Sequence, residues 1–202
     1  MYTILKPESR NRLVSIDQAL VESGFRVVSK HPIYSWTRLA ERLYGNQSKS
    51  DLKFGPELNA YLWLTSHFFG DNALAFLLKR EGRLEENLTT LGEMKKRFRT
   101  AAYEEDKSVQ LLLNLDNVPI GDTSEMGLTG RIEVSGTPFR TPQHNGRWDY
   151  FYFKYLHTPD HDAYEREMEI LREGRIFDHN VSEREWRLMK KLGTLVPLGD
   201  EK

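Results

Sequence analysis

The apolar positions of this chain fall into two periods, and the switch between them marks its elements. Tyr2 to Leu5 form a short run of strand length, and Pro7 ends it because proline cannot donate to a sheet ladder. Leu13, Ile16, Ala19 and Leu20 then recur at three- and four-residue spacing, the mark of a one-faced helix, with Ser23-Gly24 as its stop. Phe25 to Ser29 read as a second strand. A strand, a helix and a strand within the first 29 residues predict an α+β chain.

Helical spacing returns with Trp36, Leu39, Ala40, Leu43 and Tyr44, before the polar loop GNQSKSD. Phe54 to Phe69 carry Leu58, Tyr61, Leu62 and Leu64, enough for a helix packed on two sides. After the turn Gly70-Asp71-Asn72, the continuous run Ala73 to Leu78 suits a strand at the sheet centre, although periodicity alone leaves a short buried helix open. Leu84 to Arg99 predict a helix that ends in the basic cluster KKRFR, either a solvated face or a phosphate contact.

Residues 101–146 hold the apolar run LLLNL and then many glycines and prolines, and are expected to be an insertion with one hairpin and long loops. The stretch RWDYFYFKYLHTPDHDAYEREMEI follows. Its aromatic segment Tyr150 to Tyr155 predicts a covered strand ending at His157, Asp160 stands where a helix cap would, and Tyr164, Met168 and Leu171 form an apolar stripe. Ser182-Glu183-Arg184-Glu185 has the capping-box pattern, ahead of Trp186, Leu188, Met189 and Leu192.

Composition narrows the functions. With 29 basic against 30 acidic side chains, no general field gathers nucleic acid or an anionic membrane, so a small anion met by a local cluster is the better match. The absence of cysteine excludes disulfides, thiolate zinc sites and cysteine nucleophiles, and fits the cytoplasm. No apolar run approaches the roughly 18 residues of a membrane span, and Lys6 and Pro7 interrupt the start too early for a signal peptide, so a soluble cytoplasmic protein is expected.

Several of these segments, taken in order, resemble the nucleoside diphosphate kinase family. Lys6-Pro7-Glu8 is similar to its opening Lys-Pro-Asp, and Gly24-Phe25-Arg26-Val27-Val28 to its segment after the first helix. Ala73 to Phe76 with Glu81-Gly82 resemble its third strand and turn. Leu91-Gly92-Glu93 matches a family triplet, and His157-Thr158-Pro159-Asp160 stands where the family has His-Gly-Ser-Asp. The resemblance covers residues 2–99 and 147–172. It implies a ferredoxin-like βαββαβ core, a four-stranded antiparallel sheet with helices packed on it, within a domain of residues 1–175 interrupted by 101–146. Residues 176–202 are left as a C-terminal extension with one helix.

The same resemblance implies a phosphotransferase that moves the γ-phosphate of a nucleoside triphosphate to a nucleotide acceptor through a phosphohistidine on His157. An unprotonated imidazole is nucleophilic near neutral pH, which is why the chemistry uses histidine. Lys6 matches the lysine at the phosphates, Tyr44 the tyrosine beside the histidine, and Phe54 the ring on which the base stacks. Arg147 resembles a phosphate arginine, with Arg131 and Arg140 as rivals; Lys154 takes the place of an asparagine. The helix carboxylate is best matched by Glu169, or by Glu165. Counting from Leu91-Gly92-Glu93 puts Leu88 and Met94 where the family has an arginine and a threonine, and Lys95, Arg97 or Arg99 are the candidates to replace them.

Mg²⁺ is expected on the nucleotide phosphates, with no metal held by side chains alone. The expected partners are nucleoside di- and triphosphates and further copies of the chain, most safely one in a dimer. The alternative from a different class is a catalytically degenerate nucleotide-binding module that acts as sensor or scaffold.

Overall fold

The computed structural model describes residues 1–45, 62, 65, 66, 69–113, 132–134, 137–139, 143, 144, 147, 148 and 155–197; residues 45, 99–113 and those from 132 to 148 are described by backbone alone. The chain is α+β, with a four-stranded antiparallel sheet and several helices. The elements in order are β1 (Tyr2–Leu5), α1 (Leu13–Glu22), β2 (Arg26–Ile33), α2 (Trp36–Gly45), β3 (Ala73–Lys79) and α3 (Leu84–Leu113). Four short strands follow, β4 (Ile132–Val134), β5 (Thr137–Phe139), β6 (Gln143–His144) and β7 (Arg147–Trp148). The chain then forms β8 (Leu156–His157), α4 (Tyr164–Glu173) and α5 (Glu183–Leu192).

The sheet order is β2-β3-β1-β8, every neighbour antiparallel. Strands β1 and β2 therefore run the same way with β3 between them, and β3 and β8 run the same way with β1 between them. Two strand-helix-strand units interlock, so the first strand lies inside the sheet.

Both faces of the sheet are covered, which is why β3 is continuously apolar rather than alternating. Leu74, Phe76 and Leu78 face a layer built from Leu13, Ile16 and Leu20 of α1, Leu88, Leu91 and Met94 of α3, and Trp186 and Met189 of α5. Ala73 and Ala75 face the other layer, with Tyr2 and Ile4 of β1, Trp36 and Leu43 of α2, and Met168 and Leu171 of α4.

The structure changes several sequence expectations. Strand β2 runs on to Ile33, past Ser29, and has a bulge at Val28. Helix α3 continues past Arg99 to Leu113, because Ala101, Ala102 and Glu104 favour helix and no proline intervenes. The ladder of β4 with β5 lies within the insertion, and a second, β6 with β7, joins its last residues to Arg147–Trp148, where one hairpin was expected.

Of the aromatic segment Tyr150 to Tyr155, residues 150–154 lie outside the described residues. Tyr155 adopts a left-handed backbone at φ 65°, and among the described residues Leu156 and His157 pair with β1. Asp160 makes no side-chain cap; a single 3₁₀ turn, His161–Ala163, precedes α4. The C-terminal extension is part of the core, since Val181, Trp186, Met189 and Leu195 are buried in the layer beneath Phe76. Most of Phe54 to Phe69 lies outside the described residues. Among the described residues no helix is long and apolar enough to cross a membrane.

Candidate active site

Tyr2, Ile4 and Lys6 alternate along β1 and its continuation, so they share a face. His157 is the register partner of Ile4, which brings its imidazole to that same face 155 residues from Tyr2. The Thr3 hydroxyl, on the other face, donates to the His157 carbonyl at 2.9 Å and fixes the short strand. Tyr155 is held from the chain start: its amide donates to Glu8 Oε1, and its carbonyl accepts from the Lys6 amide and the Ser9 hydroxyl.

Helix α2 supplies Tyr44. Its first turn is held by Asp71, which accepts from the amide and the hydroxyl of Thr37, so the loop before β3 sets the helix against the sheet. The Tyr44 hydroxyl lies 3.0 Å from His157 Nδ1, and the two rings meet edge-on. Helix α4 supplies Glu167, whose Oε2 is 2.8 Å from His157 Nε2 and accepts from the Tyr2 hydroxyl at 2.6 Å. Its Oε1 has the Arg166 guanidinium at 3.8 Å.

These contacts set the protonation states. Burial pushes the His157 imidazole below its usual value; Glu167 opposes this, while Lys6 and Lys95 push it further down. Burial alone would raise the Glu167 carboxyl, but His157 and the hydrogen bonds from His157 and Tyr2 outweigh it and hold it below the ordinary carboxylate range. Tyr2 is raised well above its ordinary value by burial and by Glu167, so it stays a donor. A neutral imidazole beside an ionised carboxylate carries its proton on Nε2, facing Glu167. Nδ1 then has the lone pair and accepts from Tyr44.

Lys6 is fully buried, its ammonium 5.7 Å from the Trp36 ring centre and 5.5 Å from that of Tyr44. Rings around a buried ammonium help hold it in place by their quadrupoles. Lys95 of α3 reaches the next residue, its ammonium 3.4 Å from the Thr158 carbonyl. The His157 imidazole is thus neutral, bound at Nε2 by Glu167 and at Nδ1 by Tyr44, and has Lys6 and Lys95 nearby.

Of the residues expected from the sequence, His157, Lys6 and Tyr44 come together. Glu169 does not: it is exposed and lies 3.5 Å from Arg172. Glu165 is exposed too, and the carboxylate at the histidine is Glu167. Leu88 and Met94 are buried in the layer under the sheet, and Lys95 is the cation that α3 turns toward the histidine. Arg147 lies in β7 and Arg99 in α3, both without described side chains; Phe54, Lys154, Arg131 and Arg140 lie outside the described residues.

Glu167 and Tyr2 were missed, and each had a signal. Position 167 lies on the stripe of Tyr164, Met168 and Leu171, where a carboxylate must be buried and therefore partnered. Tyr2 is two residues from Ile4 and four from Lys6, on the same strand face. Among the described residues no group of three or more His, Asp or Glu side chains is arranged to hold a metal ion. No protein-family model matches the chain, and no curated protein matches it.

Proposed function

We infer that the chain is a nucleoside diphosphate kinase-like phosphotransferase whose nucleophile is Nδ1 of His157. The observation that carries this reading is the polarity of the imidazole: Nε2–H is bound to the buried Glu167, and among the described residues the Nδ1 lone pair meets only the Tyr44 hydroxyl. The interlocked order β2-β3-β1-β8 supports a ferredoxin-like core, with the histidine on its last strand.

In this reading the Nδ1 lone pair forms a bond to the γ-phosphorus of a Mg²⁺-bound nucleoside triphosphate. The bond from that phosphorus to the bridging oxygen breaks, and its electron pair leaves with the diphosphate. No proton has to move, because Nε2 keeps its hydrogen and the ring becomes cationic. Glu167 faces the charge that develops, so its attraction is greater in the transition state than before it. Lys6 and Lys95 face the phosphoryl oxygens. The terminal phosphate oxygen of an acceptor diphosphate reverses the step, and Mg²⁺ enters and leaves as part of the nucleotide.

The second reading, a nucleotide-binding module without transfer, is favoured by one observation: Leu88 and Met94 are committed to the core instead of to phosphate. One experiment separates the two. Incubation with γ-³²P-ATP gives an alkali-stable, acid-labile label that disappears in His157→Ala if the chain transfers phosphate. Calorimetric ATP binding with no label in the wild type selects the binding module, and neither signal rejects both.

A further inference from the structure

The opposite end of the sheet carries a second concentration of positive charge. Gly24, Arg26, Lys79, Arg80 and Glu81 line an open cavity of about 580 Å³, within the range of small-ligand sites. Arg26 and Lys79 are direct register partners across β2 and β3, where like charges oppose pairing. Neither has a carboxylate partner among the described residues. Three cations against the single lining carboxylate of Glu81 leave a local excess of two positive charges. Glu86 lies near Gly82, outside the lining.

Arg80 is held in place rather than left to sample solvent. Its Nη1 donates to Asn87 Oδ1 at 2.7 Å and to the Thr90 hydroxyl at 3.2 Å, and Asn87 Nδ2 donates back to the Arg80 carbonyl. The guanidinium stacks 5.4 Å from the Phe25 ring centre. Asn87 is itself buried, so it fixes the orientation of the fork. Gly24, at φ 77°, leaves the flank of Arg80 uncovered: a β-carbon there would stand 3.5 Å from Nε. A fixed guanidinium beside two unpaired cations is a preorganised receptor for an oxyanion.

We propose that this cavity binds a small phosphate-bearing dianion, at a site separate from His157 and independent of the phosphotransfer reading. His157 faces Ile4, and Ile4 faces Ala75. Lys79 lies four residues further along β3, roughly 13 Å away at the rise of a strand. A phosphate in the cavity would accept from Arg80 on one side and from Arg26 and Lys79 on the other. It would remove the repulsion between the two register partners.

The test uses the full chain labelled with ¹⁵N and titrated with inorganic pyrophosphate at moderate salt, following the amides of Gly24 and Glu81. The expected result is a saturable shift with a midpoint below about 1 mM, weakened at least about tenfold in Arg26→Ser/Lys79→Ser and in Arg80→Gln. The double variant changes only exposed side chains, so it remains decisive if Arg80→Gln disturbs the start of α3. His157→Ala should leave the Gly24 response unchanged. A parallel titration with ADP distinguishes the source: tighter binding than pyrophosphate assigns a nucleotide, equal or weaker binding an inorganic or simple phosphate, and both support the site. No saturable shift at Gly24, or one undiminished in the double variant, overturns it.

Discussion

The Glu167 carboxylate and the His157 imidazole lie 2.8 Å apart, with side-chain exposures of 2% and 5%. Water cannot screen such a pair, so each group sets the state of the other. Glu167→Gln keeps the shape but removes the charge that favours a cationic ring. In the phosphotransfer reading it slows labelling of His157 by about 10- to 100-fold, the scale of one hydrogen bond to a charged group. Rapid-quench labelling with γ-³²P-ATP at saturating nucleotide measures this, and a rate within twofold of wild type would remove Glu167 from the mechanism.

Because burial keeps His157 neutral, its folded value lies below the roughly 6.5 of an exposed imidazole. Between the two values the unfolded chain holds more protons. Stability is therefore complete above the unfolded value and is lost as pH falls through the folded one. Urea unfolding at a series of pH values from 7.5 downward should show this fall, and His157→Gln should reduce it. His31, also pushed down chiefly by burial, contributes to the slope that remains, and the depressed carboxyls of Glu167, Glu183 and Glu185 add to it at lower pH.

In the phosphotransfer reading, Lys95 tests how phosphate is held. Lys95→Met should weaken ATP binding by about tenfold, one charge-assisted contact, while Lys95→Arg retains most of it. Calorimetry on His157→Ala backgrounds isolates binding from turnover. Equal affinity in Lys95→Met would assign the phosphate charge to other cations.

Trp186 tests whether the C-terminal extension is structural. It is 2% exposed and packs edge-on against Phe76 with ring centres 5.4 Å apart. Trp186→Ala should cost about 3–5 kcal/mol of unfolding free energy. Leu192→Ala on the same helix, at an exposed position, should change it by less than about 0.5 kcal/mol. Denaturant titration compares them, and equal effects would mean that the extension does not contribute to the core.

What was legible in the sequence was local. The stop at Gly24, the capping box at Ser182 and the apolar run of β3 each depend on a few adjacent residues, and each is found in the structure. Gly24 takes a positive φ, Ser182 and Glu185 cap each other, and β3 is covered on both faces. The length of α3 was hidden because the basic cluster at 95–99 looks like an end, although nothing in its backbone chemistry stops a helix. The turn of the backbone just before β8 was hidden because it comes from the left-handed Tyr155, held by Glu8 and Ser9 across the chain. For the site, Lys6, Tyr44 and His157 followed from motif order, whereas counting along α4 chose Glu169 and the helix face chooses Glu167. Position along a sequence is a poor guide to a carboxylate that must be on one side of a helix.

The place of β1 in the sheet has a temporal consequence. The register pair Ile4↔His157 and the Glu8 contact to Tyr155, 147 residues apart, join segments far apart along the chain. A chain emerging from the ribosome holds β1 with one flank open until β8 and α4 have followed, and contacts of such separation form slowly. The pocket around His157 is therefore complete only after β8 and α4 have been made, and a nascent chain stopped before residue 155 has Lys6 and Tyr44 but neither His157 nor Glu167.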